Sequence, residues 1–304
     1  MISKHKYKNL TWIDLENPNR DEISSLAEEY KIPELVEEEL LLPAIRSKVD
    51  RHENSIFMIL HFPTIKKRGQ ANVIQEIDFF VGKDFLITAH YEPFKPLHDF
   101  AKLFEPHNTV LSKSDLGAHA GALLYILMKE LYIFSANELD EITNYMDKIE
   151  YNIFDNKERE MVRYISEVNR KLLDFKQSMR FHRDVLTSFQ FVSRDFFGGN
   201  FEYHASIILG EYNKVENMLE GHRDILTDLR DTNDSLLTNK TNDTMRVLTI
   251  ITFLISPITV ISSVFMMNTS FSLIRNVQEF YFVIGAMVLT SVITFIYKKK
   301  KKWL

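Results

Sequence analysis

The sequence predicts an α+β membrane protein. Its parts are an N-terminal cytoplasmic α/β domain over residues 1–113, a cytoplasmic long-helix and stem region over 114–244, and a transmembrane domain over 245–304. Three observations carry this. Strand-like runs of Ile, Phe and Val are confined to the first third of the chain. From Asp115 onward they give way to long stretches with helical periodicity. Finally, two apolar runs, 247–267 without a charged side chain and the shorter 280–297, approach the ~20 residues with which a helix crosses a bilayer core.

The elements follow in order. Residues 9–15 (NLTWIDL) alternate as a strand does, and Asn17-Pro18-Asn19 ends it. Residues 21–30 read as a helix with a polar face. The run Glu37-Glu38-Glu39 within 34–42 reads as a solvated helix face, because adjacent carboxylates on a helix diverge whereas Mg²⁺ or Ca²⁺ needs converging oxygens. Residues 55–62, 73–81 and 85–90 read as strands of one sheet, the last two forming a hairpin. Helix is expected over 116–154 and again over 158–195 as an antiparallel pair joined by Asp155-Asn156-Lys157, and Phe197-Gly198-Gly199-Asn200 breaks the second. From Phe201 no Pro or helix-ending pair occurs before the membrane, so one helix of about 65 residues, roughly 100 Å long, is expected to run through the first span.

The first span is polar along one edge. Asn242, Met245, Thr249, Thr252, Ser256, Thr259, Ser263 and Met266 follow at alternating steps of three and four, which keeps them on one stripe of a helix. Such hydroxyls either bond within their own helix and glue it to another, or line a water-filled path shared by several copies of the chain. Pro257 interrupts the backbone bonding at mid-span and is expected to bend the helix.

Composition excludes several classes. With no cysteine there are neither disulfides nor thiolate metal sites, and a net charge of -5 gives no case for nucleic acid. The ten histidines form no pair at metal-ligand spacing; His119, His182, His204 and His222 read as surface or interface residues. There is no phosphate loop, nucleophile elbow or paired-acid arrangement, so no enzyme and no resident cofactor are expected. The start lacks the apolar core of a signal peptide. Arg246 before the first span and the lysines of 298–302 after the second, against Arg275 alone between them, place both termini in the cytoplasm.

TNKTNDTMRVLTIITFLISPIT, followed nine residues on by Asn268, resembles the first membrane helix of the CorA family of divalent-cation channels and transporters. The terminal YKKKKKWL, WIDL near the start and FFVGKDFLITAH extend the resemblance over nearly the whole chain. It implies a funnel-shaped homopentamer in the inner or plasma membrane that passes Mg²⁺, with Co²⁺, Ni²⁺ and Zn²⁺ as further candidates. The expected partners are therefore other copies, the bilayer and divalent cations. The family's Gly-Met-Asn mark reads Met266-Met267-Asn268 here, which assigns these three residues to the outer mouth. A ring of Asn268 carboxamides would bind the water shell that Mg²⁺ sheds reluctantly.

The family's pore wall falls on Asn242, Met245, Leu248, Thr252, Ser256, Thr259 and Ser263, with Leu248 in place of its neighbour Thr249. Ser256 stands where a bulky apolar gate is common, and Ile207 where well-studied relatives carry a Mg²⁺-sensing Asp. The outer loop lacks the family's Met-Pro-Glu-Leu and has Glu279 as its only acid. The alternative is a divergent, non-conducting member acting as a membrane-anchored regulator or scaffold.

Overall fold

A computed structural model describes residues 1–64, 73–102, 119–266 and 277–300, and the chain divides into two compact units, 1–230 and 231–304. In the first unit the expected strands belong to one six-stranded sheet ordered β1-β2-β6-β5-β4-β3. These are β1 (Ile2–Tyr7), β2 (Leu10–Glu16), β3 (Lys48–Arg51), β4 (Ile56–Thr64), β5 (Val73–Val81) and β6 (Phe85–His90). β2 and β6 pair in parallel, Ile13 opposite Ile87, while every other neighbour is antiparallel and β5–β6 is the expected hairpin.

Alternation gives the sheet two apolar faces. Ile13, Leu15, Phe57, Ile59, Phe80 and Ile87 pack with Ile23 and Leu26 of α1 (Arg20–Tyr30) and Val36 of α2 (Glu34–Glu39). The other face carries Trp12, whose indole donates to Thr88 Oγ1 at 3.0 Å, and Thr88 donates to Asp14 at 2.6 Å. Asn19 starts α1 with a reciprocal capping box, accepting from the Glu22 amide at 2.9 Å while Glu22 accepts from the Asn19 amide at 3.1 Å. Asn19→Ala is expected to cost about 1 kcal/mol and to lower the unfolding midpoint by roughly 2–4 °C, read by thermal melts of both proteins.

The helical pair is α4 (Ala120–Phe154) and α5 (Glu158–Ser178), which turn about Asn156 at φ 64°. The single helix expected over 158–195 is corrected: α5 stops at Ser178, and α6 (His182–Phe197) follows. No Gly or Pro marks that break. Its cause is tertiary, since His182 at the start of α6 is wholly buried and bonded to two other elements. Three elements were not expected: β1, β3 and a short helix, α3 (Lys95–Ala101). Residues 116–118 of the expected first helix lie outside the described residues.

The long helix forms as predicted. α7 (Phe201–Met266) has 66 residues and runs through Pro257. Its part in the first unit buries one edge at steps of four and three: Phe201, Ala205, Ile208, Tyr212, Val215, Leu219, His222, Leu226 and Leu229. In the second unit α7 is followed by α8 (Val277–Lys300). The loop expected over 268–279 therefore ends earlier, at Val277, and α8 outruns the expected 280–297 into the lysine run. By length and composition α7 can cross a membrane, whereas the apolar stretch Tyr281–Tyr297 is shorter.

Candidate ion pathway

In the described part of the second unit α7 has a half-buried edge and an exposed one. Ile250, Leu254, Pro257 and Ile261 are half-buried at steps of four, three and four. The backbone carbonyl of Leu254 accepts a hydrogen bond from Ser291 Oγ of α8 at 3.1 Å, and Ser291 is 7% exposed. This edge is therefore the one turned to α8. Thr252, Ser256, Thr259 and Ser263 each lie two residues beyond one of those four positions. At 100° per residue that is about 200° around the helix, on the far side from α8.

The hydroxyl edge thus does not join the two helices of one chain. Among the described residues, Ser291 does so. Sequence reasoning missed it, because a lone serine in an apolar run carries no periodic signal.

The predicted wall residues Asn242, Met245, Leu248, Thr252, Ser256, Thr259 and Ser263 are all exposed on α7. Thr249 and Leu248 are both exposed, and neither is set apart by its position in a single chain. Met266 is the last residue of the helix, and Met267 and Asn268 lie outside the described residues.

Four of these hydroxyls, those of Thr249, Thr252, Thr259 and Ser263, donate within the helix. Thr249 donates to the Met245 carbonyl at 2.7 Å, Thr252 to Leu248 at 2.9 Å, Thr259 to Ile255 at 3.1 Å and Ser263 to Thr259 at 2.8 Å. This is the local bonding that the sequence left as one reading of the stripe. It does not exhaust the groups. A hydroxyl whose proton points back along the helix keeps its lone pairs outward, so the edge presents a column of neutral acceptors. Acceptors of that kind suit the water hydrogens of a hydrated cation and bring no fixed charge.

Among the described residues no group of three or more His, Asp or Glu side chains is placed to hold a metal ion. The four histidines singled out above make protein contacts instead. His222 Nε2 lies 2.6 Å from Thr143 Oγ1, and the His119 ring stacks on Phe197 with centroids 5.0 Å apart. His204 lies near Phe201 at 5.8 Å. His182 is held between α4 and β4, its Nδ1 2.9 Å from the Tyr132 hydroxyl and its Nε2 2.9 Å from the His61 carbonyl.

Comparison with known proteins places this architecture. The family model described as "CorA-like Mg2+ transporter protein" matches residues 7–300. The chain belongs to the CorA family. It is similar to the cobalt/magnesium transport protein CorA of Thermotoga maritima, with 26% identity over 299 residues, 97% of this chain and 83% of that protein. It is also similar to the putative metal ion transporter YfjQ of Bacillus subtilis, with 24% identity over 294 residues, 94% of this chain and 88% of that one. Among solved structures, the complete CorA magnesium transporter of Methanocaldococcus jannaschii superposes with a TM-score of 0.82 at 20% identity, covering 100% of this chain and 98% of that chain. Both the soluble α/β part and the long helix of this CorA-family chain thus have a counterpart fold.

Proposed function

We propose that this CorA-family protein is a channel for divalent cations, with Mg²⁺ as leading substrate. In this reading five copies surround an axis in the inner or plasma membrane, with both termini cytoplasmic. The carrying observation is the position of the hydroxyl edge opposite α8. Polar side chains at bilayer depth face a cavity or a partner, and among the described residues no helix of its own chain packs on this edge. Gathering copies about an axis gives it one, and water fills the space between.

Asn268 supplies the outer ring that accepts hydrated Mg²⁺ through neutral oxygens, flanked by Met267 and Met266. A methionine at 266 narrows that mouth relative to glycine. Its thioether is a poor Mg²⁺ ligand and acts there as an apolar wall.

Metal flux into liposomes tests the reading. Wild-type protein under a Mg²⁺ gradient is expected to exceed empty vesicles, Asn268→Ala to fall at least about tenfold towards them, and Met266→Gly to rise. Background uptake in all three proteins would defeat the channel and leave the membrane-anchored regulator. Uptake by Met266→Gly alone would show that methionine closes the mouth.

A further inference from the structure

Two carboxylates lie side by side on the face of the sheet covered by α1 and α2. Glu76 and Asp78 are two residues apart on β5 and so share that face with Phe80, and they are 5% and 0% exposed. Their bonding differs. Glu76 Oε1 accepts from the Ala44 amide at 2.8 Å, and its Oε2 lies 3.3 Å from Nε2 of His61, a nitrogen that the Ala44 carbonyl at 3.0 Å fixes as a donor. Both oxygens of Glu76 thus face donors, as an ionised carboxylate requires. Asp78 lacks that support: its Oδ2 lies 3.2 Å from the Tyr91 hydroxyl, and its Oδ1 has no hydrogen-bond partner among the described residues. The elements around it bring no bonded cation. From β4 comes His61, spent on Glu76 and Ala44; from α2 comes Glu39, a further negative charge; and Lys48 of β3 is held at 2.7 Å by both Glu39 and Asp50. On the same face β2 contributes Leu15, and α1 contributes Ile23 and Leu26. An ionised Asp78 would be a buried charge with a bare oxygen, so the neutral acid is the cheaper form.

Tyr91 couples that acid to α2. Its hydroxyl lies 3.2 Å from Asp78 Oδ2 and 3.4 Å from the carbonyl of Glu39, the last residue of α2. This carbonyl has no helical donor, because the residue four positions on is Pro43, which carries no N–H. A phenol has one hydrogen, and here two acceptors lie within its reach. With Asp78 protonated, the acid donates to the phenol oxygen and the phenol donates onward to Glu39, so one chain ties β5 to the end of α2. With Asp78 ionised, the carboxylate draws the phenol's hydrogen to itself. The Glu39 carbonyl then loses that donor, and a new negative charge stands beside Glu76 and Glu39.

We propose that Asp78 is a protonation switch: its proton holds the end of α2 and the α2–β3 segment on the sheet through Tyr91, and loss of that proton releases them. Burial, and then the neighbouring Glu76, raise the carboxyl well above its ordinary 3.8. The unfolded chain therefore ionises first, so the stability that neutral Asp78 contributes is complete below about that pH. It is lost as pH rises through the higher folded value, and release comes on that alkaline side. The device lies wholly within the first unit and does not depend on the channel reading.

Two measurements on the full-length protein test it. In infrared spectra the wild type is expected to show the C=O band of a protonated carboxyl group at pH 6 and to lose it by pH 9, while Asp78→Asn lacks it throughout. The second measurement uses the absence of native cysteine. A nitroxide on Ile45→Cys, at a position 94% exposed between α2 and β3, should gain mobile fraction at least about twofold from pH 6 to pH 9. With Asp78→Asn added it should stay low at both pH values, and with Tyr91→Phe added it should be high at both. The same label on Tyr151→Cys, 70% exposed on α4, should not change. A band that persists at pH 9 makes Asp78 a permanent acid, and no band at pH 6 makes it a carboxylate; either overturns the switch. So does an Ile45 label that follows pH equally with asparagine at 78, or equal loosening at Tyr151, which would mean that the whole unit opens. Should Asp78→Asn fail to fold, Tyr91→Phe still decides, since a wild-type pH response without the phenol hydroxyl overturns the coupling.

Discussion

Leucine at Ser256 is expected to cut Mg²⁺ uptake into liposomes at least about tenfold while leaving assembly and thermal stability unchanged. Ser256 is exposed on the edge opposite α8, so the substitution lies away from the Ser291–Leu254 contact that joins the two helices. In the proposed assembly it places one isobutyl group per copy at a single level of the path. A closed apolar ring expels water, and Mg²⁺, which dehydrates reluctantly, meets a barrier there. A tenfold loss needs only about 1.4 kcal/mol of added barrier.

Ile258→Leu supplies the control. Ile258 is exposed on neither the hydroxyl edge nor the edge facing α8, and its substitution is expected to change flux less than twofold. Equal losses in both variants would mean that Ser256 has no special place on the helix, and the axis would have to be drawn elsewhere. A modest methionine-like effect at Ser256, with flux down two- to threefold, would point to a lumen wide enough to stay wet around five leucines.

How far the sequence could be read depends on where the specifying forces lie. The strands β2, β4, β5 and β6 and the helix α7 were legible because their patterns are local: period-two apolar residues, Gly turns, and an uninterrupted helical register. β1 and β3 are the sheet's edges, half-solvated and carrying Lys4, Lys6, Lys48 and Arg51, and a strand paired on one side needs little apolar alternation. The break between α5 and α6 left no local mark because its anchor, His182, bonds to residues 50 and 121 positions away in the chain. In the pathway, the hydroxyl stripe was visible as a period, but which side of the helix it occupied required α8. The single decisive contact, Ser291 to the Leu254 carbonyl, spans 37 residues.

His182→Phe is expected to destabilise the soluble half by roughly 2–5 kcal/mol and to lower its unfolding midpoint by about 10 °C. The ring shape survives, so packing against Phe62, Tyr132 and Tyr212 is largely kept. Both hydrogen bonds vanish, leaving the buried Tyr132 hydroxyl and His61 carbonyl without the partner each now has. His182→Gln, with a donor and an acceptor on one amide, should recover part of that loss.

The acid behaviour separates the roles further. Burial pushes the His182 imidazole down to about 3 from its ordinary 6.5. Since the unfolded chain takes up a proton near pH 6.5 and the folded one does not, His182 contributes stability fully above that pH. The contribution is lost as pH falls towards 3. The total over that window is at most roughly 5 kcal/mol. Asp78 runs the other way. Burial, and then the neighbouring Glu76, hold its carboxyl well above the usual range, so its contribution is lost as pH rises.

Only the difference between wild type and His182→Gln therefore isolates the imidazole. Between pH 7 and pH 4 the wild type should lose more midpoint than the glutamine variant. The His61 carbonyl can only accept, so in the neutral ring Nε2 donates to it and Nδ1 accepts from the Tyr132 hydroxyl. Parallel curves across that range would show instead that the imidazole is already protonated in the fold.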